Sequence, residues 1–182
     1  MYQRAFSLIE LLVGLTLVGI VLLLASPAFS ALAQSNHREE AAHTLAQGLR
    51  TARTEAITRH RTVVIHAINE DWSQGWRIIL DASGKGSKDP DNPVLAERAS
   101  GSRVPIVGNW WVKHQVRFSH LGEPLMAGEA FHAGTLHICD AREPLSQLQV
   151  VLAATGRVSL RNTKAAQALC QSGKDSKQRT NT

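Results

Sequence analysis

Hydrophobic positions follow a different rule in each part of the chain. Between Phe6 and Ala25 lie 20 residues in which only Ser7, Glu10 and Thr16 interrupt an apolar run. As a helix this run is about 30 Å long, the thickness of a bilayer's hydrocarbon core, and so predicts one membrane span. A cleaved secretory signal competes with it, since small residues stand at Ala25, Ala28, Ala31 and Ala33. Such a signal, though, carries a shorter apolar region free of acids and more basic residues ahead of it than Arg4. Pro27 predicts a kink rather than an end, because helix-compatible sequence continues to His60 without another proline. Over that second half Ala41, Leu45, Leu49, Ala52 and Ala56 recur at helical spacing and define one buried face. Arg38, Glu39, Arg50, Arg53 and Arg59 are assigned to the opposite, solvated face.

After His60 the period changes to two. Strands are predicted at Arg61 to Ile68, Gly75 to Leu80, Val116 to Ser119, Thr135 to Cys139, Leu148 to Ala153 and Arg157 to Leu160. The last two are joined by Ala154, Thr155 and Gly156 as a hairpin. One leading helix followed by strands gives an α+β domain, with an antiparallel sheet wrapped on the helix. Residues 81–103 are dense in turn formers and charges and read as a surface loop or long hairpin end.

Charge adds one feature to this picture. The net charge is +5, with 20 basic and 15 acidic residues. Arg157, Arg161, Lys164, Lys174, Lys177 and Arg179 against Asp175 account for the whole excess, which makes the C-terminal end a candidate contact for a polyanion or simply a solvated tail. The two cysteines, Cys139 and Cys170, have no metal-type spacing. If the domain lies outside the cytoplasm they pair; if inside, they are two buried thiols.

Candidate chemistry is sparse. His37, His43 and His60 on the helix lack the spacing of a zinc protease. His132, His137, Cys139 and Asp140 cluster in sequence, yet His137 and Cys139 on one strand face are equally good core residues. Asp81, Asp89 and Asp91 lack the register of a calcium loop, and the Ser-Gly-Lys-Gly-Ser run from Ser83 lacks that of a phosphate loop. No nucleophile elbow occurs, so no constellation argues for an enzyme, a metal or a cofactor. Trp72 and Trp76 flank a turn and are read as clamping a hairpin. Trp110 and Trp111 are adjacent, so on a strand one faces the core and the other solvent or a partner subunit.

Glu10 remains to be explained, because a charge in a membrane span costs at least ~2.5 kcal/mol on insertion scales. If the chain were cut between Ala5 and Phe6, a new amine would stand one helical turn from this carboxylate. The two groups could then pair between staggered neighbours. In this respect residues 5–27, AFSLIELLVGLTLVGIVLLLASP, resemble the class III signal of type IV pilins and type II secretion pseudopilins. Phe6, Ser7, Leu8, Ile9, Glu10 and Pro27 match position for position, while Ala5 stands where the family has glycine. Later segments, residues 45–65, 75–95 and 154–160, are similar to the GspH/FimT branch of minor pilins and pseudopilins.

The resemblance implies a type IV pilin fold with a leader at 1–5, a transmembrane and assembly helix at 6–28, and a periplasmic globular domain at 29–182. That domain includes an amphipathic helix at 29–60 and a basic tail at 171–182. It implies a single-pass inner-membrane precursor that is cut after Ala5 by a prepilin peptidase, N-methylated at Phe6, and drawn through an assembly platform into a filament. Partners would be other major and minor pilins. The chain would be a minor pilin that primes assembly and sits at the tip, or the pseudopilin of a type II secretion machine. A third reading is a DNA-uptake pilin, with Arg157, Arg161 and Lys164 on the phosphates, although their spacing is looser than the Gly-Arg-x-Arg of such members.

Overall fold

The computed structural model describes residues 8–101, 104–126, 133–141 and 143–171, with the side chains of 23–28 excepted. The chain forms two compact units, 1–36 and 37–182. One helix, α1 (Leu8–Arg59), supplies the first unit's described residues and opens the second.

In the second unit Leu45, Leu49, Ala52 and Ala56 of the predicted stripe are all 2% exposed or less, joined by Ala42 and Ala46, while Ala41 is only partly buried. Small residues on that stripe let sheet and helix approach closely. At Gly48 a β-carbon would stand 2.7 Å from Trp76, which leaves room for glycine alone.

Ten strands follow, in two antiparallel sheets rather than the one expected. β1 (Val63–Ala67), β2 (Gly75–Leu80), β3 (Val94–Ala99), β5 (Gln115–Phe118) and β6 (Pro124–Leu125) make the first sheet, in the order β3-β2-β1-β5-β6. β4 (Ile106–Gly108), β7 (Ala133–Cys139), β8 (Leu145–Ala153) and β10 (Ala165–Ala166) make the second, in the order β10-β8-β7-β4, with β9 (Val158–Arg161) also paired to β8. Each sheet turns one face to the common core. Val63, Ile65, Ile78, Val116 and Phe118 come from the first, and Ile106, Leu136, Ile138, Val150 and Leu152 from the second.

Segment 81–103 is not all loop. Its turn formers end at Pro93, and the alternating stretch after it is strand β3, paired with β2 through Ile79↔Val94 and Arg77↔Glu97. Before Pro93 the loop folds back over the outer face of the first sheet, and Val64 and Ile79 are buried on the side away from the helix.

The tryptophans also sit differently from the expectation. Trp110 and Trp111 occupy a 3-10 turn, Trp110–Val112, not a strand, yet the turn still splits the pair. Trp110 is 73% exposed and Trp111 packs on the core. Trp72 and Trp76 do not clamp one hairpin. The indole of Trp72 donates to the carbonyls of Val112 (3.0 Å) and Lys113 (2.9 Å), while Trp76 lies against the helix at Gly48.

Three arginines expected on the solvated helix face reach the domain instead, and one of them, Arg50, donates to the carbonyl of Val158 (3.2 Å). Arg38 pairs with Asp140 at 3.4 Å. Arg53 donates to the carbonyls of Gly122 (2.9 Å) and Thr155 (3.4 Å). Arg38 lies four residues before Ala42 and Arg53 four after Leu49, so both lie along the flank of the buried stripe. Gly122 and Gly156 both have left-handed φ, +79° and +77°, and a side chain at either would strike Arg53. The arginine thus ties two tight turns to the end of the helix.

Candidate functional site

From Leu8 to Leu22 α1 is apolar except at Glu10 and Thr16, and almost wholly exposed. Leu8, Ile9, Leu11 and Leu12 are 76%, 69%, 58% and 52% exposed. Thr16 hides its hydroxyl by donating to the carbonyl of Val13 (2.8 Å), a bond within the helix. Glu10, in the first turn, is exposed among these aliphatic neighbours. A carboxylate so placed needs either water or a positive partner, because hydrocarbon offers neither. Ala5 and Phe6 lie outside the described residues. The backbone of α1 is helical through position 27, and the side chain of Pro27 is outside the described set. Among the described residues no helix is long and apolar enough to cross a membrane; the run from Phe6 to Ala25 begins two residues before them, and the side chains of its last three residues are outside the described set.

At the other end of the chain, Gly156 makes the β8–β9 turn and Arg157 follows it. Val158 faces the core, so Arg161, at an odd offset from it, ends β9 on the outward face, and Arg157 stands just before the strand. Both are exposed, as is Lys164 beyond the strand. The remaining basic residues, Lys174, Lys177 and Arg179, lie outside the described residues.

Cys139, the last residue of β7, is bonded to Cys170, with the two α-carbons 5.6 Å apart. The neighbouring histidine is fully engaged. Nδ1 of His137 meets the hydroxyl of Ser146 at 3.0 Å and Nε2 meets the Gln167 amide at 3.2 Å. Burial holds the His137 imidazole below its usual range, so it stays neutral. Asp140 is used by Arg38 and by Gln147 at 3.2 Å. His132 is outside the described residues. Among the described residues no three potential metal ligands gather.

Asp81, which the loop reading left in solvent, is a buried structural acid. It pairs with Arg117 at 2.7 Å and accepts the amide of Gly86 at 3.0 Å. Its sequence signal was its place directly after a β-strand and before a glycine-rich turn. Asp89, in the same loop, is held below the usual carboxylate range, chiefly by a hydrogen bond from Ser83.

Comparison with known proteins agrees with this arrangement. A model of the prokaryotic N-terminal methylation motif matches residues 1–26, and one of the type II transport protein GspH matches residues 41–156. Among solved structures, the type IV minor pilin FimU of Pseudomonas aeruginosa has a TM-score of 0.59 at 21% identity, covering 76% of this chain and 98% of its own. A second crystal form of FimU gives 0.57 at 20% identity, covering 72% and 98%. No curated protein matches the chain significantly. A long N-terminal helix against antiparallel sheets, headed by that motif, defines the type IV pilin fold. Within this class the chain belongs to the GspH family of pilin-like proteins.

Proposed function

We propose that the chain is a minor type IV pilin, a non-catalytic filament subunit that primes pilus assembly and sits in the tip complex. The observation that carries this reading is the methylation motif over residues 1–26, with Glu10 exposed one turn into an apolar helix. A prepilin peptidase cuts between Ala5 and Phe6 and methylates the amine of Phe6. The precursor is held in the inner membrane by one span, residues 6–28, kinked at Pro27, with 29–182 in the periplasm. Loss of the leader 1–5 frees the amine, and Glu10 of one subunit neutralises an amine at the head of its own or a neighbouring helix. Each charge removes the other's cost in a low-dielectric bundle, which makes release from the membrane and entry into the filament a single step. Partners are other major and minor pilins and the assembly platform.

Mass spectrometry of the mature chain should find N-methylated Phe6 at its start; an N-terminus near Ala33 would defeat the reading. Glu10→Ala should leave insertion and cleavage largely intact and reduce the chain in sheared filaments by about tenfold, the loss of roughly one ion pair. Wild-type levels in filaments would refute the pairing.

Two other readings have specific support. The family model's own description favours a pseudopilin of a type II secretion machine. Arg157 just before β9 and Arg161 at its end, both exposed, with Lys164 three residues further on, favour a contact with DNA, which would weaken steeply with salt.

A further inference from the structure

The first sheet turns His66, Arg77, Gln115 and Arg117 away from the core, and they floor a cleft of about 820 Å³. One wall is the loop around Lys88 and the other is the turn of Trp110, with Leu125 and Met126 beside it.

The character of this cleft comes from what is left unsatisfied in it. Trp110 is 73% exposed, whereas Trp72, from the same unit, is 2% exposed. Leu125 adds apolar surface at 43% exposure. Two of the lining cations are already neutralised, Arg77 by Glu97 and Arg117 by Asp81, each at 2.7 Å. Lys88 and Lys113 are exposed and have no carboxylate partner among the described residues. Among the described residues Glu70 is the lone acid in the lining. At the rim, Asn69 and Glu70 are consecutive non-glycine residues with left-handed φ, 49° and 61°. Backbone strain of this kind collects at contact sites, where surrounding structure holds it.

We propose that this cleft docks an acidic segment of a neighbouring protein subunit, with an apolar side chain against Trp110 and Leu125 and carboxylates on Lys88 and Lys113. The choice of a protein segment follows from the charge count. A nucleic acid strand needs cations tracking several phosphates and several stacking rings. Two unpaired lysines and one open indole match instead a short acidic loop with a single apolar anchor, the composition of an interface hot spot. The proposal rests on the chain being a filament subunit, because only assembly brings a neighbour to this face.

Photo-cross-linking in cells making the full chain tests it, with Trp110→p-benzoylphenylalanine as the probe and Leu121→p-benzoylphenylalanine, in a turn outside the cleft lining, as the reference. The expected product at position 110 is a peptide of another filament subunit carrying at least two acids, identified by mass spectrometry. Lys88→Glu with Lys113→Glu should cut its yield at least about fivefold, while Lys85→Glu leaves it. Formation of the Cys139–Cys170 bond in every variant shows that each folds. A nucleic-acid adduct, an acid-poor peptide, a yield no higher than at position 121, or indifference to the two lysine changes would overturn the proposal. Sheared filaments are assayed in parallel. A chain present in them without the cross-link overturns the docking site alone, whereas a chain absent from them overturns the filament reading.

Discussion

Asp81 shows how much one side chain organises. Its side chain is 0% exposed, and its two oxygens hold Arg117 from β5 and the Gly86 amide from the loop. Asn92 completes the arrangement by accepting from the Ala82 amide (3.0 Å) and donating to the Gly86 carbonyl (2.9 Å). Asp81→Ala strands a half-buried guanidinium whose Nε already lacks a hydrogen-bond partner, and it releases the loop that covers Val64. The expected loss is about 3 kcal/mol, the lower end for breaking a buried pair, because Arg117 keeps some contact with water. Asn92→Ala removes neutral bonds and should cost about 1–2 kcal/mol. Urea unfolding of the full chain in detergent checks both, and equal losses would refute the special role of the acid.

At the scale of elements, α1 was the most legible part of the chain, because a stripe of apolar residues at helical spacing has one meaning over about four turns. Strands β1, β2, β7 and β8 were legible for a related reason, their β-branched alternation. What escaped was short or governed by distant contacts. β6 and β10 have two residues each, too few to show a period. β3 lay behind a run of turn formers, and its exposed Glu97 and Arg98 resemble loop until β2 is placed beside them. The candidate contact residues divided in the same way. Glu10 and the Arg157/Arg161 pair stand out by composition, whereas the cleft at Trp110 exists only once the 3-10 turn, the β2–β3 loop and the sheet converge.

The junction of β7, β8 and β10 yields a prediction in pH. His137 of β7 is held neutral by burial, between Ser146 of β8 and Gln167 after β10. Its folded pKa lies below the reference value of 6.5, so the unfolded chain binds the proton first. This histidine's contribution is therefore complete above pH 6.5 and is lost as the pH falls below it. His66, lowered by burial on the outer face of β1, has the same sign. Thermal melts of the full chain should shift downward on acidification through this window, and His137→Gln should flatten the slope. An unchanged slope would assign the effect to His66 or to other groups.

Over the whole molecule, the Cys139–Cys170 bond spans a separation of 31 residues that contains β8, β9 and β10. Closing a loop of that length stabilises a fold by about 3–4 kcal/mol in the chain-entropy account. Cys139→Ser with Cys170→Ser should therefore lower the urea midpoint by that equivalent, and a smaller change on reduction would mean that the thiol form keeps its unfolded chain compact. The bond also decides where mechanical load goes. β10 pairs with β8 through only two residues, Ala165 and Ala166, and a pull on the chain beyond Cys170 would otherwise peel it away pair by pair. With the bond in place the pull bypasses β10 and enters at the end of β7, whose pairing with β8 covers Ala133 to Cys139. Load reaches the sheet's interior, where many hydrogen bonds must yield together, so the C-terminal end can be dragged on without unzipping the domain.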